Sequence, residues 1–284
     1  MSTASKEGGD IYLLDHDELV AGNIKRSLRR VLANESDIFQ KIIYHGWMLT
    51  PDVYSCLYEG LLQKGFELIN SPKQYFACHH LANWKDLLKE FTPKTEIVYS
   101  GNVDDVTKVL PTFGTSSLVI KDFVSSQKHS WYEACFIPNA ADTEQAKKVI
   151  SKFIELQNEV DGIQGGIVLR EFVPIRSIGA HPQSGMPLSQ EFRAFVLNGR
   201  VVMLSRYWEY GTYSSEFPPS NLIEKIISII SQVSNFFTID LAQTITGEWI
   251  CIEVGDGQVS SLPDVASKAD FYKNIIGIIH HEFK

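Results

Sequence analysis

The segment FFTIDLAQTITGEWICIEVGDGQ, Phe236 to Gln258, holds two apolar runs around a Thr-Gly turn, and each run carries an acid in its interior. Such a pattern reads as an antiparallel hairpin, in which the turn fixes the register and the register fixes which side chains meet. A two-residue turn at Thr246–Gly247 sets Ile245 opposite Glu248 and, counting outward, Asp240 opposite Glu253. Directly opposed residues have Cβ atoms about 4.5–5.5 Å apart, and like charges there repel. A divalent cation reverses that sign, and Mg²⁺ favours one or two carboxylates completed by phosphate oxygens and water. The other reading of the same residues is a slipped register that leaves one acid in solvent. If the pair is real, Glu253→Gln is expected to leave the metal-free melting temperature equal or higher.

Charges recur in the other strands. In LVIKDFV, Lys121 shares a face with Val119 and Phe123; in IVLREFV, Arg170 shares one with Val168 and Phe172, opposite Glu171; in EFRAFVL, Glu191 and Arg193 share one with Phe195. One such charge is ordinary at a strand edge, but several apolar strands with ionisable groups at their centres point to charges that meet each other or a charged ligand. Asn198-Gly199 within LNGR predicts a tight hairpin. Helices are predicted from Thr50-Pro51 to Gly65, from Ser71-Pro72, over DTEQAKKVISKFIELQNEV with Asp142 as its N-cap, and over PSNLIEKIISIISQVSNF. The fold class is α+β, with antiparallel sheets after about Pro111 and a smaller α/β unit before it.

At 284 residues and 44% hydrophobic the chain can fill a substantial core, and the formal net charge of −8 disfavours attachment to nucleic acid through a general basic surface. The opening MSTASKEGGD lacks an apolar stretch and reads as a flexible start, and no run reaches membrane-spanning length. Four scattered cysteines, Cys56, Cys78, Cys135 and Cys251, form no metal-binding pair and read as reduced core residues of a cytoplasmic protein. His79-His80 lacks spaced partners and reads as structural, and His280-His281 falls in a last helix.

The order of Lys121, the VLREFV strand, the EFRAFVLNGR hairpin, Asp240 and the final IEVGDGQVSSLP resembles the ATP-grasp superfamily, and more narrowly its clade named for two arginines and a lysine. That clade is related to the eukaryotic cell-division-cycle proteins that assemble a translation factor. The resemblance implies two α+β subdomains that clasp ATP, at 113–170 and 171–284, after an N-terminal domain at 1–112. It implies that Lys121 holds phosphates, with Lys108 a candidate second lysine, and that the backbone of Glu171, Phe172 and Val173 reads adenine while Arg170 faces phosphate or substrate. Glu191 joins that nucleotide-binding set. Arg193 and Arg206 match the two arginines, which hold a phosphate or acyl phosphate through their planar forks. Asp240 and Glu253 match the Mg²⁺ ligands. Many relatives carry Asn two residues after the glutamate, where this chain has Gly255; Asp256 is then either a displaced third ligand or the residue that shapes the turn. Lys128 and His129 are candidates for a loop over the phosphates, or lie in a solvated turn.

The chemistry implied is ligation with ATP and Mg²⁺: an acyl phosphate forms, a nucleophile displaces phosphate, and ADP is released. The acceptor is a small molecule, peptide or protein. The rival expectations are an ATP-binding assembly factor for a protein partner and an RNA-end ligase, the latter disfavoured by charge.

Overall fold

The computed structural model describes residues 3–123, 127, 130–160, 162–183 and 185–282. The first part contains α1 (Thr3–Lys6), α2 (His16–Val20), α3 (Ile24–Ser27), β1 (Gln40–Ile42), α4 (Pro51–Leu62), β2 (Phe66–Leu68), α5 (Pro72–His79) and α6 (Leu81–Trp84). α4 starts where the Thr50 side chain accepts the Val53 amide and Pro51 takes the first helical turn. α5 starts on a reciprocal capping box between Ser71 and Gln74. β1 and β2 pair in parallel, so the chain must cross over between them, and α4 is that crossover. Its Tyr54, Leu57 and Leu61 face a core with Leu28, Phe66 and Tyr75. Two expectations change here. The small polar start forms the helical turn α1 against the last helix, and Gly9 lies close to Ile276. Cys56, on the outer side of α4, is exposed, whereas Cys78, Cys135 and Cys251 are buried.

The second part holds β3 (Thr95–Val98), α7 (Val103–Thr107), β4 (Leu118–Lys121), β5 (Phe136–Ile137), α8 (Thr143–Glu159) and β6 (Ile167–Glu171). They form an antiparallel sheet of order β3-β6-β4-β5, which draws β3 from before residue 112. Asp142 caps α8 by accepting the Gln145 amide, and the Ala146, Val149, Ile150 and Phe153 stripe packs on Leu118, Ile120, Ile167 and Leu169. The opposite sheet face therefore carries Lys121 and Arg170, the two mid-strand cations.

The third part holds β7 (Ser177–Ala180), β8 (Pro187–Ser189), β9 (Glu191–Leu197), β10 (Arg200–Arg206), α9 (Ser220–Ile230), β11 (Phe236–Gln243), β12 (Trp249–Asp256) and α10 (Lys268–Glu282). Its main sheet is antiparallel in the order β10-β9-β11-β12. Asn198 at φ 48° and Gly199 at φ 74° make the tight β9–β10 turn that their sequence predicts. Isoleucines 223, 226, 227 and 230 of α9 cover one face through Ala194, Val196, Phe237, Ile239 and Leu241. This core continues to Trp84, Phe123 and Val168 and so joins the two large sheets. The other face is covered at one end by Phe271 and Ile275 of α10, against Phe195, Leu197 and Phe236. Among the described residues no helix is long and apolar enough to cross a membrane.

Candidate nucleotide and metal site

The hairpin β11–β12 does place Asp240 opposite Glu253, although not by the turn the sequence suggests. Thr244 pairs with Glu248, leaving a three-residue turn closed by Gly247 at φ 91°, and the ladder then runs one residue out of the expected register through Gln243↔Trp249 and Leu241↔Cys251. A bulge at Ile252 restores that residue, and Asp240↔Glu253 follows. The same ladder sets Asp240 opposite Arg193, and Arg193 opposite Ser205. Arg193, Asp240 and Glu253 thus share one sheet face.

Asp240 and Glu253 each have a cation. Arg193 grips Asp240 with both prongs of its fork, Nε to Oδ1 and Nη2 to Oδ2, each at 2.7 Å, while its Nη1 donates to the Ser261 carbonyl at 2.9 Å. The pair is largely buried, at 12% and 7% side-chain exposure, where a bidentate geometry is needed to offset the cost of desolvation. Burial alone lowers the Arg193 pKa, but the hydrogen bond and charge of Asp240 outweigh it and raise the guanidinium above its ordinary value. The Tyr207 ring lies 4.8 Å from the guanidinium. Lys121 reaches across from β4 to donate to Glu253 Oε1 at 3.2 Å. The site is therefore assembled from two sheets, with Lys121 from one and the remaining charges from the other.

Arg170, on the same face as Lys121, directs its donors to backbone: Nη1 to the Ile252 carbonyl at 2.6 Å and Nη2 to the Cys251 carbonyl at 3.3 Å, with Nη2 also on Thr92 Oγ1. Burial lowers its pKa and the nearby Glu253 opposes that shift. In the segment after β6, the Glu171 and Phe172 amides donate to the Lys94 and Ser117 carbonyls, and Glu171 Oε1 accepts from Ser116. The Phe172 ring meets Phe136 at 5.0 Å and Trp131 at 6.0 Å, making an aromatic wall beside Val173.

Other expected residues lie apart from this cluster. Arg206 pairs with Phe192 in the ladder, so it points to the opposite sheet face from Arg193, where it covers the Tyr213 ring at 4.9 Å. Lys108, after α7, is exposed and paired with Asp105 at 2.7 Å. Asp256 is fully buried: Oδ2 accepts from Asn70 Nδ2 at 2.5 Å and Oδ1 from the Gln258 amide at 2.9 Å, which makes it the hub that ties the hairpin end to the first part of the chain. Glu191, at the start of β9, is the exception: it pairs with Ala242 on the face of Arg193 and Asp240, and it accepts from Ser189 Oγ. Lys128 and His129 lie outside the described residues. His79 is half-buried with its ring stacked on Tyr75 at 4.9 Å, and desolvation pushes its pKa down to about 4.

Sequence reasoning missed Tyr207, Thr92 and the Ser261 carbonyl. Only Tyr207 had a local signal, an aromatic residue next to Arg206 at a strand end. Thr92 and Ser261 are loop residues, and only the fold brings them to the site.

The donor set suits magnesium that retains phosphate and water. Among the described residues no group of three or more His, Cys, Asp or Glu could hold a metal, yet two carboxylates stand opposite each other on one face. Gly255 continues that face, and a Cβ there would lie 2.9 Å from both the Thr238 and Ser260 hydroxyls, so the Asn that the superfamily resemblance implies at this position has no room without rearrangement.

No curated protein matches the chain. Among solved structures it is similar to a RimK domain protein ATP-grasp from Sphaerobacter thermophilus, with TM-score 0.61 and 15% identity over 97% of this chain and 91% of that one. It is also similar to N5-carboxyaminoimidazole synthetase from Staphylococcus aureus, with TM-score 0.56 and 11% identity over 91% of this chain and 63% of that one. The family model for the ATP-grasp domain of family 3 in the clade named for two arginines and a lysine matches residues 112–275, more than half of the chain; the chain belongs to that family.

Proposed function

We propose that the protein is a Mg²⁺- and ATP-dependent ligase that activates a carboxylate as an acyl phosphate and releases ADP. The observation that carries this reading is the meeting of Lys121 from one sheet with Glu253, Asp240 and Arg193 from the other. In this reading Asp240 and Glu253 hold Mg²⁺, and the ion supplies charge neutralisation to the phosphates when bound. Lys121 moves its ammonium from Glu253 to a phosphate oxygen. Arg193, always charged and held by Asp240 and Ser261, stabilises negative charge at the transferred phosphoryl group. Phe172, Phe136 and Trp131 give the purine an apolar wall, and the Glu171 to Val173 segment reads its edge through its carbonyls and the Val173 amide, the Glu171 and Phe172 amides being engaged by Lys94 and Ser117. The cluster contains charges that position and neutralise but no dedicated base, which suits phosphoryl transfer.

The names of similar structures support this class: one is a synthetase, and another, at TM-score 0.50 and 10% identity, is the ATP-grasp ligase PsnB complexed with its minimal precursor. The acceptor is accordingly a small molecule or a peptide. The test is nucleotide release with Mg²⁺ against pools of amino acids, peptides and RNA. ADP and phosphate produced only with an acceptor is the expected result. AMP release overturns the acyl-phosphate route, and tight ATP binding without turnover for any acceptor overturns ligation.

A further inference from the structure

The bulge in β12 is the feature on which the site's geometry turns. Cys251 pairs with Leu241 on the face covered by α9, and both belong to the core that joins the two sheets. In a regular strand Glu253, two residues later, would point to that same apolar side. The additional residue, Ile252, turns Glu253 over to the side of Asp240 and Arg193 while letting Val254 return to the core opposite Ile239.

A bulge sends backbone groups of successive residues out of the ladder, and buried groups of that kind need partners. Here the Cys251 amide donates to the Phe91 carbonyl at 2.7 Å. The successive carbonyls of Cys251 and Ile252 both accept from one guanidinium, that of Arg170. Arg170 is 9% exposed, comes from the opposing sheet, and has no ion pair among the described residues. Its Nη2 also donates to Thr92 Oγ1 and its Nε has no hydrogen-bond partner among the described residues, but both Nη groups reach carbonyls at the bulge, and a rigid planar fork spans two such acceptors where a lysine reaches only one.

We propose that Arg170 is a positioning residue: by holding the Cys251 and Ile252 carbonyls it fixes the β12 bulge and so keeps Glu253 on the Asp240 face. The proposal rests on reading that face as the Mg-nucleotide site. Arg170 acts through Glu253 and does not bind phosphate itself.

The test compares Arg170→Met, Arg170→Lys, a deletion of Ile252, and the deletion combined with Arg170→Met. ADP affinity is measured by calorimetry with Mg²⁺ and with chelator, and crystal structures report the register. Loss of a group that orients a metal ligand costs about 10–100-fold in metal affinity. Arg170→Met should lose about tenfold or more of the Mg²⁺-dependent gain in ADP affinity, while metal-free ADP affinity stays within about twofold, and Arg170→Lys should recover part of the loss. Deleting Ile252 gives a straight strand with the glutamate still opposite Asp240, so Arg170→Met should cost no further Mg²⁺ dependence in that background.

Equal loss of ADP affinity with and without Mg²⁺ would mean direct phosphate contact and overturns the proposal, as does an unchanged Mg²⁺ dependence. If Arg170→Met does not fold, the Ile252 deletion alone decides: retained Mg²⁺ dependence supports the proposal, and its loss refutes it. If the wild-type protein shows no Mg²⁺-dependent binding, the functional reading fails by itself. The register in the Arg170→Met crystal then decides, since Glu253 leaving Asp240 supports the positioning role and an unchanged pair overturns it.

Discussion

Glu253 faces an acid on its own sheet and a lysine from the other, and the balance between them decides what its neutralisation does. Considered with Asp240 alone, Glu253→Gln relieves repulsion. With Arg193 already gripping Asp240 and Lys121 on Glu253, the larger effect is the loss of a charge-assisted hydrogen bond to a lysine that is 8% exposed. Glu253 is 42% exposed and Gln still offers an acceptor to Lys121, so the loss is about 1 kcal/mol; the variant's metal-free melting temperature should fall slightly, reversing the expectation from the hairpin alone, and its Mg-ATP stabilisation should vanish. An unchanged or higher metal-free melting temperature would show that the acid pair dominates. Lys121→Ala should melt cooperatively yet bind ATP about tenfold or more weakly, roughly 1.4 kcal/mol, by calorimetry. At this scale the acids were legible because each interrupts an apolar run. Their cations were not, because Lys121 is 132 residues from Glu253.

The hairpins show how an element can reach a predicted pairing by another route. The β9–β10 turn follows its Asn-Gly signal, and Gly199 at φ 74° makes Gly199→Ala costly by about 1 kcal/mol in denaturant unfolding. In β11–β12 the turn and the bulge each displace the register by one residue in opposite senses, and the two offsets cancel at Asp240 and Glu253. The end of β12 carries a pH dependence. Burial pushes the Asp256 carboxyl up to about 7 against the hydrogen bonds from Asn70 and Gln258, which lower it. A carboxyl raised in the fold contributes stability that is complete below its ordinary value of 3.8 and is lost as pH rises through about 7. Wild-type stability should therefore decline across that window, and Asp256→Asn should flatten the decline. The variant also sets its amide Nδ2 against that of Asn70, whose Oδ1 is held by the Asn235 and Phe236 amides, at a cost of about 1–3 kcal/mol in acid. Equal pH slopes for the two proteins in equilibrium unfolding would refute the Asp256 assignment.

For the molecule as a whole, the apolar core shared by Trp84, Phe123, Val168, Ile239 and Val254 holds the two large sheets together, and the charged face lies where Lys121 crosses between them. A ligand held by both sheets stabilises the whole fold by mass action, about 2.7 kcal/mol at a hundredfold excess over Kd. Thermal melts should rise with ATP and Mg²⁺ together and much less with ATP in chelator; equal shifts would remove the metal from the site. Through a turn that the fold does not use, the sequence named the pair Asp240–Glu253; what it determined by itself is the α+β class, the helix caps at Thr50, Ser71 and Asp142, and the Asn-Gly hairpin. All of these rest on residues near one another in the chain and on side-chain periodicity. Only the tertiary structure decided that Arg193 and Lys121 neutralise that pair, that Arg170 grips the β12 bulge, that Asp256 ties the hairpin to Asn70, and that Arg206 faces away. Each of these depends on which backbone and side-chain groups burial leaves in need of a partner, and that is set when distant segments pack.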